Sequence, residues 1–222
     1  MPSEQVENYL KQIYKIQEAE GRVSTSLLSE RLQISAPSVT EMIKKLAEEG
    51  SVTYTPYKGV ELTDAGRKKA LRIVRRHRLW ELFLVEVLKF HWDEIDEEAE
   101  RLEHSMSAKL ERRIDELLGY PGRDPHGDAI PTAEGAMERL DHRLLSNAVP
   151  GQEVIVARVS DENPEVLQYL TKLGIRLGTR LRVQEVIPFD GSMRVTVGDV
   201  QQFISSKLAR HISVGQAGAE QP

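Results

Sequence analysis

The sequence predicts a fold that is mainly α with small β parts, and three observations support this class. Apolar residues recur at steps of three and four over most of residues 6–117, which is typical of amphipathic helices. Two short alternating segments between residues 51 and 62 flank turn residues and indicate a β-hairpin. Several short alternating runs within residues 153–204 indicate a small β-barrel.

Length and composition set outer limits on the fold and function. The chain has 222 residues, and at roughly 100–200 residues per domain it can form up to three small domains. It contains no cysteine, which excludes disulfides, thiolate zinc sites and a cysteine nucleophile. No apolar run approaches the roughly 20 residues that cross a bilayer, and the N-terminus lacks the order of a signal peptide. We therefore expect a cytoplasmic protein without a membrane partner.

The first domain, expected at residues 1–74, has the element order of a winged helix-turn-helix. One helix ends at Gly21, a short second helix follows, and Ser35 and Pro37 begin a third helix that ends at Gly50. The hairpin then provides the wing. The alternative is a small helical domain with a solvated basic face.

A winged helix-turn-helix inserts the N-terminal end of its second paired helix into the major groove of double-stranded DNA. Small hydroxyl and apolar side chains at that end suit base edges and thymine methyl groups. The residues expected to face bases are Ser35, Ala36, Pro37, Ser38, Thr40 and Glu41. Lys44, Lys45 and, at the hairpin tip, Lys58 are expected near phosphates.

The net charge of −5 argues at first against a nucleic-acid partner, but the charge is unevenly distributed. Residues 1–76 hold 13 Lys and Arg against 10 Asp and Glu, and residues 77–149 hold 9 against 17. Residues 150–222 hold 8 of each sign. A mildly basic segment therefore precedes a strongly acidic one, and such asymmetry indicates divided function.

The acidic segment is expected to form a helical domain over residues 75–146 that carries a candidate metal site. Its apolar period predicts a single helix over residues 95–117. Four polar side chains fall within roughly 100° on one face of this helix, namely Asp96, Glu100, Glu103 and His104. His77 and Glu81 share a face of the preceding helix, and antiparallel packing would bring both sets together.

This ligand set has a chemical preference and a simpler alternative. Carboxylate and imidazole groups without a thiolate suit Mn²⁺ and Fe²⁺. The alternative is a solvated helix face on which Glu100 and Glu103 pair with neighbouring arginines and lysines. His91 and His126 are expected at the surface or in loops.

Six segments together resemble the diphtheria-toxin-repressor family. They are residues 9–14 (YLKQIY), 36–40 (APSVT), 62–66 (LTDAG), 76–81 (RHRLWE), 98–106 (EAERLEHSM) and 124–131 (DPHGDAIP). The similarity runs from about Val6 to the C-terminus. It implies a homodimeric, metal-activated transcriptional regulator, and the dimer would form through the helical domain. The apolar residues assigned to that contact are Leu110, Ile114 and Leu117.

The resemblance implies a principal metal site and a second one. The principal site would use Glu100, Glu103, His104 and His77, with Asn8 from the first helix. The second would use His77 or Glu81 with Asp96 and side chains from the C-terminal domain, where Asp161 and Glu162 precede a helix. The alternative for that last pair is a turn with solvated acids.

Three positions depart from the family pattern, and a fourth indicates the metal. Asn8 stands where Asp or Met is usual, Lys11 where the smaller manganese regulators have Glu, and Asp96 where iron-responsive relatives have His. Glu100 stands where iron-responsive members have Cys, so the resemblance is to the manganese-responsive branch. Mn²⁺ is therefore the expected cofactor, with Fe²⁺ as the alternative.

The C-terminal domain is expected at residues 150–215, after a linker at residues 147–151. Strands are predicted at residues 153–159, 180–187, 193–197 and 202–204, with a helix that begins at Pro164 and that Gly174 ends. The domain resembles the SH3-like small β-barrel of the larger regulators in the family, also seen in ferrous-iron transport accessory proteins. Residues from Val214 onward are predicted to be disordered.

One hypothesis and two alternatives follow. The hypothesis is a homodimeric Mn²⁺-activated repressor of metal-uptake genes that binds a palindromic operator. The ion would activate DNA binding because it fixes the spacing of the two recognition helices. The first alternative is a winged-helix regulator that senses an organic ligand. The second is a metal-dependent hydrolase, for which the sequence has no nucleophile or phosphate-binding motif. We therefore expect a protein that is not an enzyme.

Overall fold

The structure, a computed structural model, describes residues 3–56, 58–138, 142–161 and 163–216. The helices in this part of the chain are α1 (Glu4–Glu20), α2 (Thr25–Leu32), α3 (Ala36–Glu48), α4 (Asp64–Glu86), α5 (Ile95–Glu103), α6 (Ala108–Leu117), α7 (Pro164–Lys172) and α8 (Ser206–Ala209). The strands are β1 (Val52–Thr55), β2 (Gly59–Leu62), β3 (Arg143–Leu144), β4 (Glu153–Val159), β5 (Arg180–Val186), β6 (Met193–Val197), β7 (Val200–Ile204) and β8 (Ile212–Gln216). None of the helices in these ranges is both long and apolar enough to cross a membrane.

Contacts divide the chain into two compact units. Unit 1 contains the described residues up to Trp80 together with Glu100–Arg113 and Ile130–Met137. Unit 2 contains Glu81–Ala99, Ile114–Ala129 and the described residues from Glu138 onward. The helices α4, α5 and α6 each contribute residues to both units.

Unit 1 contains the predicted winged helix-turn-helix, whose element order is confirmed. The Ser24 and Ser35 hydroxyls accept backbone hydrogen bonds at the N-termini of α2 and α3, as the sequence indicates. Gly21, with φ +73°, ends α1. The core of this domain joins α1, α2, α3 and the hairpin through Tyr9, Leu10, Ile13, Leu28, Val39, Ile43, Leu46 and Val60.

The start of α4 is fixed against the hairpin by one close backbone approach. A Cβ on Gly66 would lie 1.8 Å from the carbonyl oxygen of Ser51, so glycine is required there. The Thr63 hydroxyl donates to the carbonyl oxygens of Gly50 and Ser51 and accepts a hydrogen bond from the Gly66 amide. The long helix that carries His77 is therefore anchored at the wing.

The single helix predicted over residues 95–117 is wrong. Two helices, α5 and α6, are separated by residues 104–107. The hydroxyl and carbonyl oxygens of Ser107 accept hydrogen bonds from the amides of Leu110 and Glu111, which makes Ser107 the N-cap of α6. A four-residue interruption is close to one turn of about 3.6 residues, so the apolar period continues through it and conceals the break.

Unit 2 is built around a six-stranded antiparallel sheet in the order β3-β8-β4-β5-β6-β7. This sheet is the small β-barrel domain expected at the C-terminal end, and the predictions for β4, β5, β6 and α7 are confirmed. Its core contains Val154, Val156, Leu170, Leu181, Val195 and Ile212. The sequence did not predict β3 and β8, which pair with each other across about 70 residues of chain.

Two expectations for the ends of this domain need correction. The segment at residues 147–151, expected as a linker, places Ala148 in the core beside Leu145 of a short 3-10 helix, Leu145–Asn147. The predicted disorder from Val214 is wrong as far as Gln216, because these residues belong to β8. The residues after Gln216 lie outside the described part of the chain.

Candidate metal centres

Glu103, the last residue of α5, is the centre of the first candidate site. Its side chain is fully buried, and its Oε2 lies 2.6 Å from Nδ1 of His77 on α4. Glu100, one turn earlier on α5, is 42% exposed, and its Oε2 lies 3.7 Å from the same nitrogen. One ligand atom from each residue lies within 4.8 Å of the other two. The structure therefore brings together three of the residues that the resemblance implies for the principal site.

His104, a fourth residue implied for the principal site, lies just beyond the end of α5. Its Nδ1 is 2.7 Å from Oε2 of Glu7 on α1. Its Nε2 lies 3.3 Å from Oε1 of Glu103 and, within the described ranges, has no hydrogen-bond partner. The sequence reasoning missed Glu7, although its spacing of four from Lys11 puts both on one face of α1.

Lys11 also reaches this group of carboxylates from α1. Its Nζ donates to Oε2 of Glu100 at 2.5 Å and to Oε1 of Glu103 at 2.6 Å, and its side chain is 1% exposed. The alternative of solvated helix carboxylates paired with surface arginines therefore does not describe Glu103. Asn8 lies on the same helix, and its buried Oδ1 accepts no hydrogen bond from any described residue.

Opposing effects act on the Glu103 carboxyl group. Burial raises its pKa, but the hydrogen bond with His77 and the positive charge of Lys11 outweigh burial and hold the pKa below 4.5. Glu103 is therefore ionised in the interior, which is the form that binds a metal ion.

Unit 2 contains a second group of candidate ligands. Glu81 of α4, His126 and Asp161 each offer one ligand atom within 4.8 Å of the others. The first two side chains are 1% exposed, and Oε1 of Glu81 lies 3.6 Å from Nδ1 of His126. Asp96, exposed at the start of α5, is not a member of this group, but one of its carboxylate oxygens lies within 4.8 Å of a carboxylate oxygen of Glu81, as predicted for the second site. Glu162 lies outside the described residues.

His126 lies in a loop, which agrees with the expectation of a surface or loop residue, but its side chain is buried. Its ring stacks on Trp92 with a centroid separation of 5.8 Å. The His126 carbonyl accepts a hydrogen bond from Val159 of β4. The next residue is Gly127, where a Cβ would lie 2.2 Å from the carbonyl oxygen of Ala157. This close packing of the loop on β4 depends on tertiary contacts that the local sequence does not show.

Hydrogen bonding leaves one nitrogen of His126 available. Its Nε2 lies 2.8 Å from the carbonyl oxygen of Trp92, and since a carbonyl only accepts, Nε2 carries the proton. In the neutral ring Nδ1 therefore has a free lone pair, and it has no hydrogen-bond partner in the described part of the chain. A carbonyl that orients a histidine in this way is the usual support for a metal ligand.

The predicted DNA-contacting residues lie at the N-cap of α3, on α3 itself and, for Lys58, in the turn of the hairpin. All of them are exposed except Thr40, which is partly buried and whose hydroxyl donates to the Ala36 carbonyl. Val39, Ile43 and Leu46 on the opposite face of α3 are fully buried. The helix is therefore amphipathic in the sense required for one face to meet a groove.

The donor sets of both groups fit a divalent cation. They contain only carboxylate oxygens and imidazole nitrogens, and His104 Nε2 and His126 Nδ1 are buried acceptors without hydrogen-bond partners among the described residues. Such unsatisfied buried atoms require an explanation, and a bound ion provides one.

Comparison with known proteins identifies the family. The model of the iron dependent repressor N-terminal DNA binding domain matches residues 1–60, and that of the metal binding and dimerisation domain matches residues 63–132. A FeoA domain model matches residues 143–215. The diphtheria toxin repressor of Corynebacterium glutamicum is 31% identical over 210 residues, which cover 87% of this chain and 92% of that protein. The chain belongs to the diphtheria toxin repressor family.

Solved structures support the same conclusion. A manganese-dependent transcriptional repressor in complex with manganese is 43% identical, with a TM-score of 0.88, and the match covers 96% of this chain and all of that one. The manganese regulator SloR is 34% identical, with a TM-score of 0.76 and coverage of 96% and 98%. The protein is therefore a metal-dependent DNA-binding transcriptional repressor, and a sensor of an organic ligand is not favoured. The family is one of repressors rather than enzymes.

Proposed function

We propose that this member of the family is a Mn²⁺-activated, cytoplasmic repressor of metal-uptake genes, with Fe²⁺ as the alternative ion. The observation that carries the proposal is the convergence of His77, Glu100 and Glu103 on one point without any thiolate. Oxygen-rich sites favour Mn²⁺ more than sites with thiolates do. The manganese complex of a 43% identical repressor supports the same metal.

The ligands proposed for the principal site are His77, Glu100, Glu103 and His104, with Asn8 from α1. The ligands proposed for the second site are Glu81, His126 and Asp161, with Asp96, whose carboxylate lies close to that of Glu81, as a further candidate. When bound, the ion supplies positive charge that neutralises the carboxylates and joins side chains from different helices.

The geometry of unit 1 explains how metal could act on DNA binding. α1 carries Glu7, Asn8 and Lys11 on its polar side, and its apolar side packs in the core that also holds α3. A change at the metal ligands therefore reaches α3 through one packed helix. In a homodimer on a palindromic operator, this sets the spacing of two recognition helices. Linkage then requires that metal and DNA strengthen each other's binding.

The first prediction concerns metal-dependent DNA binding. The DNA duplex used is one that the Mn²⁺-loaded protein selects from a random library. Without Mn²⁺ the protein should bind this duplex at least about tenfold more weakly, a change in affinity that is typical of allosteric coupling. Glu103→Gln and His104→Ala should abolish the Mn²⁺ effect, because each removes a proposed ligand. Fluorescence anisotropy across a Mn²⁺ and an Fe²⁺ titration measures the effect and ranks the two ions.

Glu165→Gln is the matched control, since Glu165 is an exposed carboxylate in the first turn of α7. It should behave as the wild type does. If metal-free protein and the Glu103→Gln variant bind the duplex as tightly as the Mn²⁺-loaded wild type, the proposed mechanism is wrong.

A further inference from the structure

We propose that Lys11 is an internal cation that competes with the metal ion for Glu100 and Glu103 and so sets the metal concentration at which the repressor is activated. The inference rests on the proposed function, in which these two carboxylates are metal ligands. Lys11 is not itself a metal ligand, but it controls the affinity of the site for metal.

The ammonium group of Lys11 lies between the two carboxylates. Nζ of Lys11 lies 2.5 Å from Glu100 Oε2 and 2.6 Å from Glu103 Oε1, so it bridges one oxygen from each carboxylate. Divalent ions lie roughly 2.0–2.6 Å from carboxylate oxygens. The ammonium therefore uses the same oxygens and nearly the same space that an ion on this pair would use.

The side chains of Lys11 and Glu103 are both buried. Lys11 is 1% exposed and the Glu103 side chain is fully buried, so both charges are shielded from water. In such surroundings a charge without a partner is strongly unfavourable, whereas a paired charge is tolerated. Lys11 therefore stabilises Glu103 in the metal-free protein, and this stabilisation disappears when another cation takes its place.

The contacts of Lys11 reduce the affinity of the site for a metal ion. An ion can bind both carboxylates only after Lys11 has given up its two contacts, since two cations on the same oxygens repel each other. The observed metal affinity is therefore the intrinsic affinity reduced by the cost of displacing Lys11. A reduced affinity keeps the repressor inactive until the metal concentration in its surroundings rises.

The test compares Lys11→Met and Lys11→Gln with the wild type, with His126→Gln added to every protein so that the second candidate site does not contribute. Mn²⁺ affinity is measured by isothermal titration calorimetry, and the unfolding midpoint is measured with and without Mn²⁺. Removing the ammonium should tighten Mn²⁺ binding by about tenfold or more, given the size of pKa and ion-pair effects at buried carboxylates. It should also lower the midpoint of the metal-free protein and increase the rise that Mn²⁺ produces.

Lys15→Met is the matched control, because Lys15 is an exposed lysine one turn further along α1. It should leave Mn²⁺ affinity and the Mn²⁺-induced rise in midpoint unchanged. The proposal is overturned if Mn²⁺ affinity is unchanged or weaker without Lys11. It is also overturned if Lys11→Met stays unfolded at saturating Mn²⁺, because the ion could then not take over the role of the ammonium. If Glu103→Gln binds Mn²⁺ as the wild type does, it is instead the assignment of the principal site that fails.

Discussion

At the scale of single residues, neighbouring groups determine what each candidate ligand can do. Burial lowers the pKa of His126, but the negative charges of Glu81, Asp124 and Asp161 outweigh it and raise the pKa above 6.5. The fold therefore favours the protonated ring more than the unfolded chain does. A metal ion needs the neutral ring, so protons compete with metal at this residue.

The sign of this shift gives a prediction for the metal-free protein. A raised pKa contributes stability that is fully present below about pH 6.5 and is lost as pH rises through the raised value. His126→Gln should remove this part of the pH dependence, so that stability falls less between about pH 6 and 8 than in the wild type. Chemical unfolding at a series of pH values measures the difference.

The exposed His91 provides the control, and His91→Gln should retain the wild-type profile. Coincident pH profiles for the wild type and His126→Gln would contradict the interpretation of the His126 environment.

At the scale of elements, the break between α5 and α6 determines which residues face α4. Glu111 of α6 is buried, and its two carboxylate oxygens lie 3.2 Å from Nε of Arg75 and 3.1 Å from Nε of Arg76. The guanidinium of Arg75 also donates to the carbonyl oxygen of Pro131 at 2.7 Å. These contacts hold α6 and the segment after it against α4 within unit 1.

Glu111→Ala should therefore be strongly destabilising. It leaves two buried guanidinium groups without their carboxylate, and breaking a buried ion pair in this way costs about 3–5 kcal/mol. Urea unfolding of the metal-free protein measures the decrease in stability. Glu116→Ala, at an exposed position of the same helix, should change the free energy of unfolding by less than about 0.5 kcal/mol. Equal effects of the two substitutions would show that the cluster does not stabilise the unit.

The features that the sequence predicts well depend on near neighbours in the chain. Helix caps at Ser24 and Ser35 and the stop at Gly21 involve contacts within a few residues, so they can be inferred directly. The partners of Lys11 and the burial of His126 depend on residues distant in sequence. Such contacts have no local pattern, so the roles of these two residues become visible only in the folded chain.

At the scale of the whole molecule, the division of charge between segments matches the division between the predicted DNA-contacting residues and the proposed metal ligands. Lys44 and Lys45 lie exposed on the outer side of α3, in the segment with an excess of basic residues. The carboxylates of the candidate metal sites lie mostly in the acidic segment. The negative net charge therefore comes from the segment that holds most of the proposed metal ligands, and not from the segment predicted to contact DNA.

This arrangement predicts the salt dependence of DNA binding. Replacing Lys44 and Lys45 by alanine should weaken binding and flatten the slope of log K against log salt by about 0.9 for each phosphate that is no longer neutralised. Binding to the selected duplex at several KCl concentrations, with saturating Mn²⁺, gives the slope. Lys172→Ala, an exposed lysine of α7, should leave it unchanged. An unaltered slope in the double variant would place α3 away from the phosphates.

The four-residue break between α5 and α6 carries information in its length as well as in its residues. Each residue turns a helix by about 100°, so removing one residue from the break would rotate Glu111 away from Arg75 and Arg76 even if every remaining side chain were kept. An insertion or deletion at this point therefore changes which residues of α6 face α4. Among relatives of this protein, the number of residues between the last glutamate of α5 and Glu111 is a criterion for the same helix arrangement that percentage identity does not supply.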